Sequence, residues 1–111
     1  MPKFTVRIEL HDEYDYALLH GKMEARGFLR TITDTSTGLR YHLPNAEYNY
    51  VTDEAVTRKR ILSRAKAAVR EMFAEDHPGW SQERIDQHYE VLVTESAGRV
   101  WHNLPPVDEE E

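Results

Sequence analysis

The segment from Arg7 to His20, RIELHDEYDYALLH, gathers four acids, two histidines and two tyrosines into one short stretch. Glu9, His11 and Asp12 stand almost together in it, and two kinds of chemistry would use them. A histidine with a pKa near neutrality can take and return a proton, given a cation close by to stabilise the charge that develops on the reacting group. Carboxylates at this spacing could instead hold a divalent metal that activates water. Arg30 and His42, brought in from neighbouring strands, are the candidates for the cation and for a second base. A plainer reading accounts for more of the acids: Asp12 as a helix N-cap, with Glu13 and Asp15 in the first turn where negative charge suits the helix dipole. On that reading His11 is a solvated loop residue and His20 a partly buried structural one.

A second group carries charge of the opposite sign. At 100° per residue Lys59, Arg60, Arg64, Lys66 and Arg70 fall opposite the apolar stripe of a long helix, with Glu71 as the acid among them. A face of this kind either binds phosphates through counterion release or is a solvated surface balancing acids elsewhere. Tyr41, Tyr48 and Tyr50 form a third group. On an open sheet face they could stack bases; the commoner role for such residues is core or subunit interface. Trp101, near the C-terminus, is assigned as an interface anchor beside Tyr48 and Tyr50.

The elements that must position these residues are legible from periodicity. Phe4, Val6, Ile8 and Leu10 alternate with polar residues, a half-buried strand. A helix follows over about Glu13 to Arg26, with Gly27 as its left-handed C-terminal cap. FLRTITD, the turn TSTG and LRYHLPNAEYNYV read as a hairpin whose second strand is interrupted near Pro44. Thr52 is expected to cap the second helix, with Asp53 and Glu54 in its first turn and a staple between Val51 and Val56. Ile61, Leu62, Ala65, Ala68, Val69, Met72 and Phe73 share its apolar face, and it must end before Pro78. Ser81 caps a short turn, and HYEVLVTE is a last strand. Val100, Trp101 and Leu104 then mark a tail that docks, as an extra strand or across a partner subunit.

The order strand, helix, strand, strand, helix, strand predicts an α+β fold, the ferredoxin-like βαββαβ sandwich, with an antiparallel sheet carrying two helices on one face. Residues 1–106 are expected to form one domain that includes the docked segment, and 107–111 a disordered acidic tail. At 111 residues there is room for one core. The chain has no cysteine, which excludes disulfides, thiolate metal sites and cysteine nucleophiles. No apolar run approaches a bilayer span, so membrane insertion is not expected and a cytoplasmic location is the default. Net charge is −6, but the last four residues are all acidic, leaving −2 for the rest. No glycine-rich phosphate loop, nucleophile elbow or calcium loop is present.

MPKFTVRIELHD, MEARGFLRTIT, YHLPNAEYNY, VLVTES and WHNLP together resemble the GhoS family, endoribonuclease antitoxins of type V toxin–antitoxin systems. The resemblance spans nearly the whole chain in short segments, without a diagnostic catalytic signature. It implies a ferredoxin-like fold and selective cleavage of the messenger RNA of a small hydrophobic membrane toxin. In the wider group of ferredoxin-like nucleases an acid near the end of the first strand matters, and Glu9 or Asp12 is the nearest match here. On this basis the expectation is an RNA-binding, antitoxin-like protein, with endoribonuclease activity left open. His11 and Asp12 would lie near the scissile phosphate, Arg30 would stabilise its charge, and the helix cations would hold the backbone. No small-molecule cofactor is expected, a divalent metal is left open, and a homodimer through the sheet edge or open face is expected. The competing reading is a non-catalytic homodimeric protein-binding or regulatory module.

Overall fold

The alternation of Phe4, Val6, Ile8 and Leu10 becomes strand β1 (Lys3–Leu10), with all four side chains buried. The computed structural model describes residues 2–11 and 16–107. After β1 come α1 (Tyr16–Glu24), β2 (Thr31–Thr33), β3 (Arg40–His42), β4 (Glu47–Val51), α2 (Arg58–Asp76), α3 (Gln82–Asp86) and β5 (Tyr89–Glu95). Among the described residues the structure is thus mixed α+β, with antiparallel sheets and three helices. β1 is central, with β4 on one side and β5 on the other; Val6 faces both Tyr48 and Val93. β2 and β3 form a separate two-stranded hairpin. It is tied to the outer flank of β4, where Leu29 and Asn49 exchange backbone hydrogen bonds of 2.8 Å in both directions.

The predicted second strand of the hairpin is really two strands. Leu43 donates to Arg30 O and Glu47 to Pro44 O, so the chain turns at Pro44, leaving β3 on β2 and carrying β4 to β1. Proline has no ladder donor to offer at that point, which makes it a natural place for the switch.

α1 and α2 pack on each other over the β1 face that carries Phe4, Val6 and Ile8. α1 ends as expected at Gly27, whose φ is +87°. Phe28 N–H donates to Met23 O and Gly27 N–H to Glu24 O, the paired bonds of a Schellman motif, and Met23 and Phe28 are both fully buried. The start expected at Asp12 and Glu13 lies outside the described residues. α2 does not begin at Thr52. Thr57 is its cap, accepting from Arg60 N–H, while Thr52 Oγ1 accepts from Glu54 N–H in a local turn. Val51 still pairs with Lys3 in the sheet, so residues 52 to 56 are needed to climb to the helix layer. Val56 packs on the core from that connection. Ser81 caps α3 through Arg84 N–H, as expected.

The other sheet face is partly covered by the chain's own C-terminal segment. Ser96 donates to Lys3 O, Pro105 O accepts from His42 N–H, and Val107 donates to Arg40 O. Tyr41 and Pro106 form a bridge, so the tail lies along β3. No helix among the described residues is long and apolar enough to cross a membrane.

Candidate nucleic-acid interface

The basic face of α2 divides into two flanks. On the α1 side Arg60, Ser63, Arg64 and Ala67 line a shallow groove of about 450 Å³ that Arg26, just past the end of α1, borders. Arg64 NH1 donates to the Tyr50 hydroxyl, and its guanidinium carbon stands 5.8 Å from the Tyr50 ring centroid. Tyr50 is itself propped by Phe28 at 4.9 Å and by the edge of Phe4 at 6.5 Å, so a core aromatic sets where Arg64 points. Arg26 NH2 donates to Glu71 Oε2 at 2.8 Å. Lys22 reaches both Glu71 (3.1 Å) and Glu75 (2.6 Å). These pairs clamp α1 to α2, and the hydrogen bonds from Arg26 and Lys22 hold the Glu71 carboxyl below its ordinary pKa. Arg60 and Arg64 have no carboxylate partner among the described residues. The acid that the sequence places on this face is therefore taken up by Lys22 and Arg26, while Arg60 is exposed and Arg64 rests half-buried on Tyr50.

On the α3 side the positive charge is already engaged. Arg70 holds Asp86 through two bonds, Nε to Oδ1 at 3.0 Å and NH2 to Oδ2 at 2.8 Å. Tyr89 adds its hydroxyl to Oδ1 at 2.7 Å. Hydrogen bonding to Arg70 lowers the Asp86 pKa, and burial with the bond to Asp86 pushes the Tyr89 phenol up to about 12. The positive charge of Lys66 also favours the Asp86 carboxylate. Arg70 is a structural clamp between α2 and α3, and its charge is not available as sequence periodicity suggested. Lys59 is exposed near the start of the helix.

The acid and histidine cluster sits on the opposite sheet face. Glu9 lies directly across from Glu90 in the β1 and β5 register, and His11 Nε2 is 3.1 Å from Glu90 Oε1. Both side chains of that pair are substantially exposed. Asp12 lies outside the described residues. Arg30 does not join the cluster: its NH2 donates to Leu43 O and Asn45 Oδ1, on the β4 side of β1, whereas His11 reaches toward β5. His42 is likewise remote from it, held between β2 and the tail. Among the described residues no group of three or more His, Asp or Glu is placed to hold a metal ion.

The aromatics are distributed differently from the expectation. Tyr48 has no exposed surface and shares a 2.6 Å hydrogen bond with His20 Nδ1, and burial raises its pKa. Inward on the β1 side, it cannot serve as an interface residue. Tyr50 is half-buried beneath Arg64. Trp101 packs against Tyr41 of the same chain at 5.6 Å. Trp80 stacks on His77 at 3.8 Å and lies under Arg84 at 4.4 Å. Arg26 and Ser63 were missed from sequence; an arginine beside the capping Gly27 was the available signal, since a capped helix end delivers its last turn to its neighbour. Comparison of the chain with protein-family models, with curated proteins and with solved structures yields no match.

Proposed function

We propose that this chain is a cytoplasmic RNA-binding protein of the GhoS-like antitoxin kind, which holds the phosphate backbone in the groove between α1 and α2 and cuts the strand with Glu9 and His11. The observation that carries the reading is the pair Arg60 and Arg64, two arginines with no carboxylate partner among the described residues, in a shallow groove that Arg26 borders. The ferredoxin-like part of the reading is supported by β1 lying between β5 and β4, with the separate β2–β3 hairpin joined to β4 only through the Leu29–Asn49 bridge. The cleavage assignment is supported by a histidine beside paired carboxylates at the end of β1. The competing reading, a homodimeric binding module, is favoured by the edge strand β5 and by Leu92, 63% exposed on the sheet face away from the helices.

The test measures binding of a single-stranded RNA to the full chain across a range of salt. Each phosphate contact on a single strand contributes about 0.7 to the slope of log K against log salt, so Arg60→Ala with Arg64→Ala should lower it by about 1.4. Arg70→Gln, on the clamped flank, should leave the slope unchanged. If the double variant binds as the wild type does, the groove is not the RNA site.

A further inference from the structure

Arg99 belongs to none of the groups above. It lies on the sheet face away from the helices, where NH1 donates to Asn49 Oδ1 at 2.6 Å and contacts Thr5 Oγ1 at 3.5 Å. Both acceptors are neutral, and Asn49 is held in turn through Nδ2 on Thr31 O. No carboxylate lies within ion-pair distance of Arg99 among the described residues. The guanidinium is partly withdrawn from water, which disfavours its charge, and among the described residues the acids Asp34 and Glu47 share its clefts without forming an ion pair with it. Two clefts open beside it. One, of about 290 Å³, is polar and includes Lys3, Thr33 and Asp34. The other, of about 240 Å³, is walled by Ile32, Leu43, Pro44, Trp101 and Leu104.

The chemistry of this second cleft is specific. A cation fixed by two hydrogen bonds at the wall of an apolar cavity favours a ligand with one anionic end and one apolar body. Glu47 on the same wall works against a doubly charged group, which selects a carboxylate over a phosphate dianion. A volume of about 240 Å³ suits a single ring or a branched aliphatic chain, not a nucleotide. We propose that the cleft between the C-terminal segment and the β2–β3 hairpin binds a small apolar monocarboxylate, its carboxylate on Arg99 and its body between Leu43, Trp101 and Leu104. This site is separate from the RNA groove and does not depend on it.

The probes are phenylacetate, its neutral counterpart phenylacetamide, and inorganic phosphate, each titrated into the ¹⁵N-labelled full chain. The Trp101 indole N–H signal reports the cleft, and that of Trp80 serves as internal reference. Phenylacetate should move Trp101 and leave Trp80 in place. Because a charge-assisted hydrogen bond contributes at least about tenfold in affinity, phenylacetamide should bind weaker by about that factor. Arg99→Gln should weaken phenylacetate by the same factor and leave phenylacetamide unchanged, which also verifies that the cleft survives the substitution. Leu104→Phe, which keeps Arg99 and fills the cavity, should block both compounds. Equal affinity for acid and amide on the wild type overturns the proposal. So does phosphate shifting Trp101 as tightly as phenylacetate, or Leu104→Phe leaving the titration unaltered.

Discussion

Asp86 illustrates how a single residue changes the meaning of its neighbours. In sequence it is one more acid in a polar loop, and in the folded chain it accepts two bonds from Arg70 and one from Tyr89. The sign of its pH effect follows from the direction of the shift. A carboxyl whose pKa is depressed by folding contributes stability above its unfolded value, ordinarily 3.8, and loses that contribution as pH falls through the lower folded value. Asp86→Asn should therefore cost about 1 kcal/mol at neutral pH, modest because the pair is about a third exposed. Urea unfolding of wild type and variant should converge as pH drops below 3.8. Curves that stay parallel through that range would show that the pair does not couple to folding. Arg99 is the converse case, a cation among neutral partners in a segment that reads in sequence as a polar ending. Nothing in GRVWHNLPPV signals which residue will cover Asn49, because that depends on a contact across half the chain.

At the scale of elements, local signals were legible where one explanation was available. The alternation in β1, the Gly27 cap and the Ser81 cap all appear where the pattern placed them. The start of α2 was expected at Thr52 and lies instead at Thr57, which has the same capping chemistry; the choice between them is made by the register of β4 on β1. That choice is testable. Thr57→Ala should destabilise the chain by about 1 kcal/mol, whereas Thr52→Ala, which loses one exposed turn bond, should cost only a few tenths. The two glycines of the first helical region make a similar contrast. Gly27→Ala puts a Cβ at positive φ and 3.4 Å from the Tyr50 ring, costing about 1 kcal/mol or more. Gly21→Ala, within α1 and facing open space, should stabilise by about 0.5–1 kcal/mol. Thermal denaturation of the four variants ranks them. A Thr52→Ala variant as unstable as Thr57→Ala would mean that the cap has been misplaced.

Across the whole molecule the two proposed parts of the RNA site stand on opposite sides of one sheet. The basic helix face was legible from periodicity; of the acid and histidine cluster Glu9 and His11 were named, whereas Glu90 was not, and Arg30 and His42 lie elsewhere. The separation of face and cluster was legible in part, since the alternation of β1 puts Glu9 on the face away from the helices, whereas the pairing of His11 with Glu90 depends on the register of β5 and was not. Arg60 and Arg64 lie in the helix layer, while Glu9, His11 and Glu90 lie at the far face beside the edge strand β5. The shortest dimension of the molecule is 21 Å. At a rise of about 3.4 Å per nucleotide, a strand seated in the groove needs roughly six further nucleotides to pass over the β5 edge and reach His11. Under the proposed function, an RNA of about six nucleotides should bind in the groove and remain intact, and one of about twenty should bind and be cut. His11→Ala and Glu9→Gln should abolish cutting of the longer RNA without changing its affinity, because neither residue touches the groove. Arg60→Ala should weaken both lengths alike. Denaturing gels of end-labelled RNAs read all of these outcomes together. If the short RNA is cut as fast as the long one, the path over the edge is wrong, and binding and cleavage must then share one face.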